Sequence, residues 1–328
     1  MKRFKAEWEK QEHIQIVFPH KNSDWICCLE EIRESYREII ETIAKYEPCL
    51  VICENEKEAR RYFKSFKNLY FVEIETNDTW IRDFGGIEVE NGSLIETLDF
   101  GFNAWGLKFA ANYDNLVTRK LFKKGIFTTP LKTLNFILEG GSIESNGEGV
   151  LLTNTQCLLE PNRNPEYSKK EIEEKLKEYL GVKEVIFLNH GFLEGDDTDS
   201  HIDTLARFVA KDKIAYVKCE DKDDIHYNEL KKMEEELKKL PFTLIPLPFP
   251  SPKFYDGERL PATYANFLFI NNALLLPIYN DEKDKEVIEI FEKLFPNRDI
   301  IPIDSTILIR QHGSIHCATM QSFKKLNI

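Results

Sequence analysis

The 328-residue sequence contains no run of about 18 apolar residues, so no helical membrane span is expected. Its seven cysteines, Cys27, Cys28, Cys49, Cys53, Cys157, Cys219 and Cys317, include no C-x-x-C pair. That argues against a zinc ribbon and against a thioredoxin-type redox site. The opening MKRFKAEWEKQEH lacks the apolar core of a signal peptide, so a cytoplasmic chain with reduced thiols is expected. Basic charge is not in surplus either: the net charge is −12. A nucleic-acid partner would want a basic face, whereas this balance suits a small cationic substrate. No linker, low-complexity tract or shift of composition interrupts the chain, and residues 1–328 read as a single domain. The proline-rich PLPFPSPK at 246–253 reads as a rigid surface loop.

What is present is a recurring order of elements. Apolar spacing predicts a helix over 26–45, carried by Leu29, Ile32, Tyr36, Ile39, Ile40 and Ile43. Ser168 and Glu171 form a capping-box signature for a second helix that stops at Gly181. Further helices are predicted near 225–240 and 281–295, and weaker ones at 55–66 and 114–124. After most of them comes a short β-rich run (LYFVEIE, VIFLN, FTLIPLP, IIPID), then a polar connection, then two strands around a turn. The turns are Asn91-Gly92, Asn146-Gly147, Lys211-Asp212 and Asn271-Asn272. The unit of helix, strand and hairpin spans about 50 to 65 residues and recurs about five times. The last unit, GSIHCATM, has one strand left, and HIQIVFP at 13–19 is its expected partner, closing a ring. The expected fold class is therefore α/β, with a five-fold pseudosymmetric propeller favoured over an ordinary mixed α/β domain.

Unusual polar residues recur at the start of each hairpin. They are Arg82 and Asp83 in WIRDFGG, Glu139 in ILEGGS, and Asp197, Asp199, His201 and Asp203 in DDTDSHIDT. Asn266 in TYANFLF, and His316 with Cys317 in GSIHCAT, complete the set. Positions 83, 139, 201, 266 and 317 are separated by 56, 62, 65 and 51 residues, so in a closed ring all five would face one axis. If the stretch is extended, Asp197, Asp199, His201 and Asp203 share a face. A thiol of ordinary pKa is only about 3% thiolate at neutral pH and needs help to act as a nucleophile. Histidine can move its proton. Carboxylates beside a thiol hold it neutral by repulsion. They make sense if the substrate is a guanidinium, which pairs bidentately with carboxylates and offsets their charge. The cysteine could then attack the guanidinium carbon, displace ammonia and leave a thiouronium for water to hydrolyse.

AEWEKQEH…VFPH (6–20), WIRDFGG (80–86), ILEGGSIE…LLTNTQCLLEPNRNP (137–165), DDTDSHID (196–203), YANFLF (264–269) and GSIHCAT (313–319) together resemble the agmatine deiminases, of the bacterial peptidyl-arginine-deiminase-like branch of the guanidino-group-modifying enzymes. The resemblance covers essentially the whole chain. It implies a pentein-type α/β propeller without metal or organic cofactor, hydrolysis of agmatine to N-carbamoylputrescine and ammonia, and a homodimer. By that resemblance Cys317 is the nucleophile and His201 the general acid/base. Asp83 and Asp203 grip the guanidinium, and Glu139 supports the histidine or the substrate. Trp80, Arg82, Asn266, Asp197 and Asp199 are the substrate-binding candidates. The sequence departs from the family at Gln311, His312, Gly313 and Ser314, where glycines and an asparagine are usual.

Three other readings stand beside this one. Arginine or peptidyl-arginine shares the guanidinium, although Arg82 is the only basic residue in the site motifs that could serve an α-carboxylate. A zinc hydrolase could use His201, Asp203, His312, His316 and Cys317 as ligands. A guanidino-compound binder without catalysis is the third.

Overall fold

A computed structural model describes residues 2–327. Its sheets are small and separate. His13–Val17, Cys49–Cys53 and Leu69–Glu73 lie parallel, and Thr319–Ser322 joins antiparallel beside His13–Val17. Lys2–Phe4, Ile87–Asn91, Leu94–Gly101 and Leu131–Ile137 form the next sheet. Three three-stranded sheets follow: Ile143–Ser145 with Val150–Asn154 and Glu184–Leu188; Ala206–Ala210 with Lys213–Lys218 and Thr243–Pro248; Leu268–Ile270 with Ala273–Ile278 and Asp299–Asp304. A short ribbon, Lys253–Tyr255 with Glu258–Leu260, stands apart from them.

The predicted turns are in place. Gly92 and Asn272, at φ +68° and +63°, supply the left-handed residues that tight hairpins need. The grouping differs from the sequence reading in one respect. Three of the four β-rich runs pair in parallel with the hairpin before them, as Glu184–Leu188 does with Val150–Asn154, while Leu69–Glu73 pairs with the single strand Cys49–Cys53. The structural unit is thus hairpin, helix, strand. The expected partnership of the last strand with residues 13–19 is present, in the register Thr319 to Ile16 through Ser322 to His13. The proline-rich segment is not all loop. Pro246 and Pro248 lie in Thr243–Pro248, an outer strand of its sheet, where a missing N–H is tolerated.

The helices cover the sheets with the faces that spacing predicts. Helix Leu29–Ile43 buries Ile32, Tyr36, Ile39, Ile40 and Ile43, each such side chain contributing about 1.5–3 kcal/mol by leaving water. Helix Lys169–Leu180 has the Ser168–Glu171 capping box and ends at left-handed Gly181. The candidate at 55–66 shortens to Glu56–Ala59 and a 3-10 turn, because its apolar spacing is not sustained. Among the described residues no helix is long and apolar enough to cross a membrane.

Candidate active site

The polar residues flagged at the hairpin starts lie on turns, not on strands. Asp83 is in the one-turn helix Ile81–Phe84. Glu139 and His201 are the residues that enter the 3-10 turns Gly140–Ser142 and Ile202–Thr204, and Asp203 is inside the second. Cys317 sits in the turn before Thr319–Ser322, held by Arg82 N–H donating to the Cys317 carbonyl at 3.2 Å. The expected extended phase through 197–203 is broken, because Asp199 and Ser200 adopt φ +66° and +67°. His201 and Asp203 nonetheless reach the same place, brought there by the tight turn.

Cys317 forms part of the wall of a pocket of about 110 Å³ together with Trp80, Asp83, Trp105, His201 and His312, among others. Its sulfur is 3.8 Å from Asp203 Oδ2 and 3.4 Å from Asn266 Oδ1. Asp83 Oδ1 accepts from Gly141 N–H at 2.9 Å and lies 3.6 Å from His201 Nδ1, while Trp105 Nε1–H donates to Asp83 Oδ2 at 2.9 Å. Two buried polar atoms here lack partners, His201 Nε2 and Asp203 Oδ1. Buried polar groups are ordinarily satisfied, so this pair points to a bound polar ligand. A side chain at Gly141 would meet His201 Nδ1 at 2.6 Å and Asp83 Oδ1 at 2.9 Å. Only glycine lets these groups converge.

Charge in the site is tuned by burial and by neighbouring acids. Burial, then Asp203 and Asp83, push the Cys317 thiol well above its ordinary value. Burial, opposed by His201, leaves Asp83 raised to about 6. Burial also disfavours a charged His201, but Asp83, Cys157 and Glu139 outweigh it and hold the ring well above its ordinary value. Asp203 is kept low against burial by the hydrogen bond from His316. His316 Nδ1 is 2.7 Å from Asp203 Oδ2, and His316 Nε2 is 2.6 Å from Glu7 Oε2. A neutral imidazole carries one N–H, so these two contacts need a second proton within the trio. Glu7 is fixed in turn by Arg207 at 2.8 Å.

Five candidates are not on the pocket wall: Arg82, Glu139, Asp199, Asp203 and Asn266. Arg82 is buried on the far side of the turn, donating to Gln321 Oε1 at 2.5 Å and to the His316 carbonyl at 3.2 Å. It fixes the backbone around Cys317 and is not available to substrate. Asp199 points at Arg163 (2.7 Å) and Lys108 (2.8 Å), since its left-handed backbone turns it out of phase. Glu139 is sealed behind His201 with Arg163 Nε–H shared between its oxygens at 2.9 and 3.0 Å. Asn266 lies beneath Cys317, its Oδ1 accepting from the N–H of His316 and Cys317 at 3.0 and 3.3 Å. Trp80 and Asp197 do line the pocket.

The five-residue zinc set does not assemble. Both His316 nitrogens are taken by carboxylates, and His312 Nδ1 lies 2.6 Å from the Gly195 carbonyl oxygen. The group that does come together among the described residues is Glu139, Cys157 and His201, with the Arg163 cation already on Glu139.

Sequence reasoning did not single out Trp105, Phe109, Asp24, Asp78, Asp196 or Thr198, all on the pocket wall. Trp105 arrives on four successive left-handed residues, Ala104 to Leu107, and no local motif marks it. Such strain persists only where the surroundings enforce it. The departure at 311–314 forms part of the wall: Gln311, His312 and Gly313 line the pocket, and Ser314 meets Tyr279 Oη at 3.1 Å. A side chain at Gly313 would come within 2.4 Å of the Trp80 ring. Gly313→Ala is therefore expected to cost about 1–3 kcal/mol in stability by overpacking. It should also lower kcat/KM by roughly tenfold or more through displacement of Trp80. Thermal melts and steady-state kinetics check both.

Comparison with known proteins agrees with this geometry over the full chain. The sequence profile for Porphyromonas-type peptidyl-arginine deiminase matches residues 3–322. The chain belongs to that family. An agmatine deiminase of Pseudomonas aeruginosa is 31% identical over 97% of this chain and 95% of its own length. A solved structure, a cysteine-to-serine variant of C. jejuni agmatine deiminase with substrate bound, superposes with a TM-score of 0.97 at 48% identity, covering 100% of this chain and 98% of that one. The agmatine deiminase of Enterococcus faecalis, at 28% identity, gives 0.91 over 99% and 96%. The α/β fold of this deiminase family member is thus the fold of those enzymes.

Proposed function

We propose that this protein is an agmatine deiminase, hydrolysing the guanidinium of agmatine to N-carbamoylputrescine and ammonia through a covalent intermediate on Cys317. The observation that carries the reading is a buried thiol facing two buried carboxylates and a histidine, in a pocket lined by five aspartates and by no lysine or arginine. Asp83 and Asp203 pair with the guanidinium nitrogens, and its charge lowers the thiol pKa on binding. The Cys317 thiol gives its proton to solvent as its pKa falls, and the sulfur bonds to the guanidinium carbon. His201 gives a proton to the departing nitrogen, the C–N bond breaks and ammonia leaves. His201 next takes a proton from water, whose oxygen attacks the thiouronium carbon, and the C–S bond breaks to return the thiol. Glu139 acts as a positioning residue for His201.

The rest of the pocket supports a substrate with a second positive charge. Asp24, Asp78, Asp196 and Asp197 lie on the wall with Asp83, and Asp203 sits behind it against the Cys317 sulfur. Burial, together with Asp114, Asp24 and Asp197, pushes the Asp78 carboxyl up to about 8. The site therefore holds more acids than it can ionise while empty. Lys108 is pinned on Asp199 and the Asp197 carbonyl, so an α-carboxylate finds no free basic partner. The five sheets and the residues at their hairpin starts support a single five-bladed pentein-type domain over 1–328, and we infer a cytoplasmic location from its reduced thiols.

Ammonia release by the purified protein, with chelator present, tests the reading. Agmatine is expected to be turned over, with kcat/KM for arginine at least about 10²-fold lower, since the α-carboxylate is left unpaired against acids. Release from arginine or arginyl peptides at a comparable rate would move the substrate. Loss of activity on chelation would overturn the mechanism.

A further inference from the structure

Cys27 and Cys28 take no part in the chemistry above. They end the 3-10 helix Asp24–Cys28, with Cys27 exposed and Cys28 half-buried. Adjacent side chains on a helix normally diverge. Here the two sulfurs are 3.0 Å apart. The backbone allows this because Cys28, at φ −145° and ψ 38°, leaves helical geometry before helix Leu29–Ile43 begins. Burial, and then contact with Cys27, push the Cys28 thiol up to about 12. Cys27 is the more accessible of the two sulfurs, and either thiol can donate across the contact.

The pair is tied to the lip of the pocket. Cys27 Sγ lies 3.7 Å from the Asp24 carbonyl oxygen and 4.0 Å from Gln311 Nε2. Gln311 Nε2 itself donates to the Asp24 carbonyl at 3.1 Å. Asp24 and Gln311 both line the pocket. Whatever moves the Cys27 sulfur disturbs a three-way contact that shapes the entrance.

We propose that Cys27 and Cys28 form a reversible oxidation site at the pocket lip, closed by peroxides to a disulfide between adjacent residues. The Cys27 sulfur attacks the peroxide O–O bond, giving a sulfenic acid and water. The Cys28 sulfur then forms the S–S bond, and the sulfenic hydroxyl leaves as water with the Cys28 thiol proton. Two thiols and one hydrogen peroxide yield one disulfide and two waters; the thiols are oxidised by two electrons and the peroxide is reduced. Adjacent Cα atoms are about 3.8 Å apart, below the roughly 4.4–6.8 Å span of relaxed disulfides. The bond is therefore strained and easily reduced, as suits a regulatory disulfide. Closing it draws Cys27 toward Cys28 and away from Asp24 and Gln311. The effect on turnover rests on the deiminase reading; the covalent change does not.

Graded hydrogen peroxide on the intact enzyme tests this, followed by mass mapping and agmatine kinetics. Tryptic cleavage isolates residues 22–33, which contain both thiols and no other cysteine. The expected result is loss of two hydrogens from that peptide while Cys317 stays unmodified, with at least about a threefold fall in kcat/KM. Dithiothreitol should reverse both changes, and C27S and C28S should show neither. Stepwise oxygen gain on Cys27 without loss of two hydrogens would overturn the proposal. So would a disulfide that leaves kinetics unchanged, or an activity loss that persists in both variants. An enzyme inactive on agmatine from the outset would sink the deiminase reading, and the mass change would still report on the thiol pair.

Discussion

Cys317→Ala is expected to abolish ammonia release from agmatine, with kcat falling by at least about 10⁴-fold. The size follows from the arrangement around the sulfur. Cys317 carries the thiol on the pocket wall, and in the proposed mechanism Asp83 and Asp203 are occupied with the guanidinium nitrogens. Without the thiol, water would have to attack a resonance-stabilised cation directly. Cys219→Ala, whose thiol lies outside the pocket, should keep wild-type turnover. Steady-state ammonia assays on both variants separate a role in the chemistry from a general need for thiols. Near wild-type turnover by Cys317→Ala would remove the covalent route.

Asp203→Asn should move two readouts in opposite directions. Removing one partner of a buried charge pair costs about 2–5 kcal/mol, so kcat/KM for agmatine should fall by roughly 30- to 4,000-fold. The thiol of the free enzyme should become more reactive. Asp203 is the first charged group, after burial, that disfavours the Cys317 thiolate. A neutral amide in its place lowers the thiol pKa, and each unit raises the thiolate fraction at neutral pH about tenfold. Alkylation of Cys317 by iodoacetamide should therefore be slow in the wild-type enzyme at pH 7 and climb toward alkaline pH. In Asp203→Asn the same rise should come at lower pH. A variant that loses turnover with no gain in alkylation would show that Asp203 does not set the charge of the nucleophile.

The strand and helix order was legible because the long helices keep a sustained apolar face and the hairpins have their own turn residues. Ile32, Tyr36, Ile39 and Ile40 announce one face, and Asn91-Gly92 announces one turn. The convergence of Cys317, His201, Asp83 and Asp203 was legible for a different reason. Polar residues at the same phase of repeated units converge when the units do. What the phase could not show was side-chain direction once the backbone left extended geometry. Asp199 and Arg82 sit one or two residues from pocket residues and still face elsewhere, toward Arg163 and Gln321. Trp105 was hidden because its loop has no periodicity and is held by distant groups such as Asp83. Glu7 was quoted only as part of a motif, and its contact with His316 spans 309 residues of sequence. No local pattern reports a contact of that range.

The most direct test of the covalent route is to trap its intermediate. Wild-type enzyme can be mixed with saturating agmatine, quenched in acid within the first turnovers and digested for mass mapping. The expected product is a peptide containing Cys317 that has gained the mass of agmatine less ammonia. A quench that finds Cys317 unmodified while product accumulates, or that finds the adduct on Cys157, would contradict the assignment of Cys317 as nucleophile.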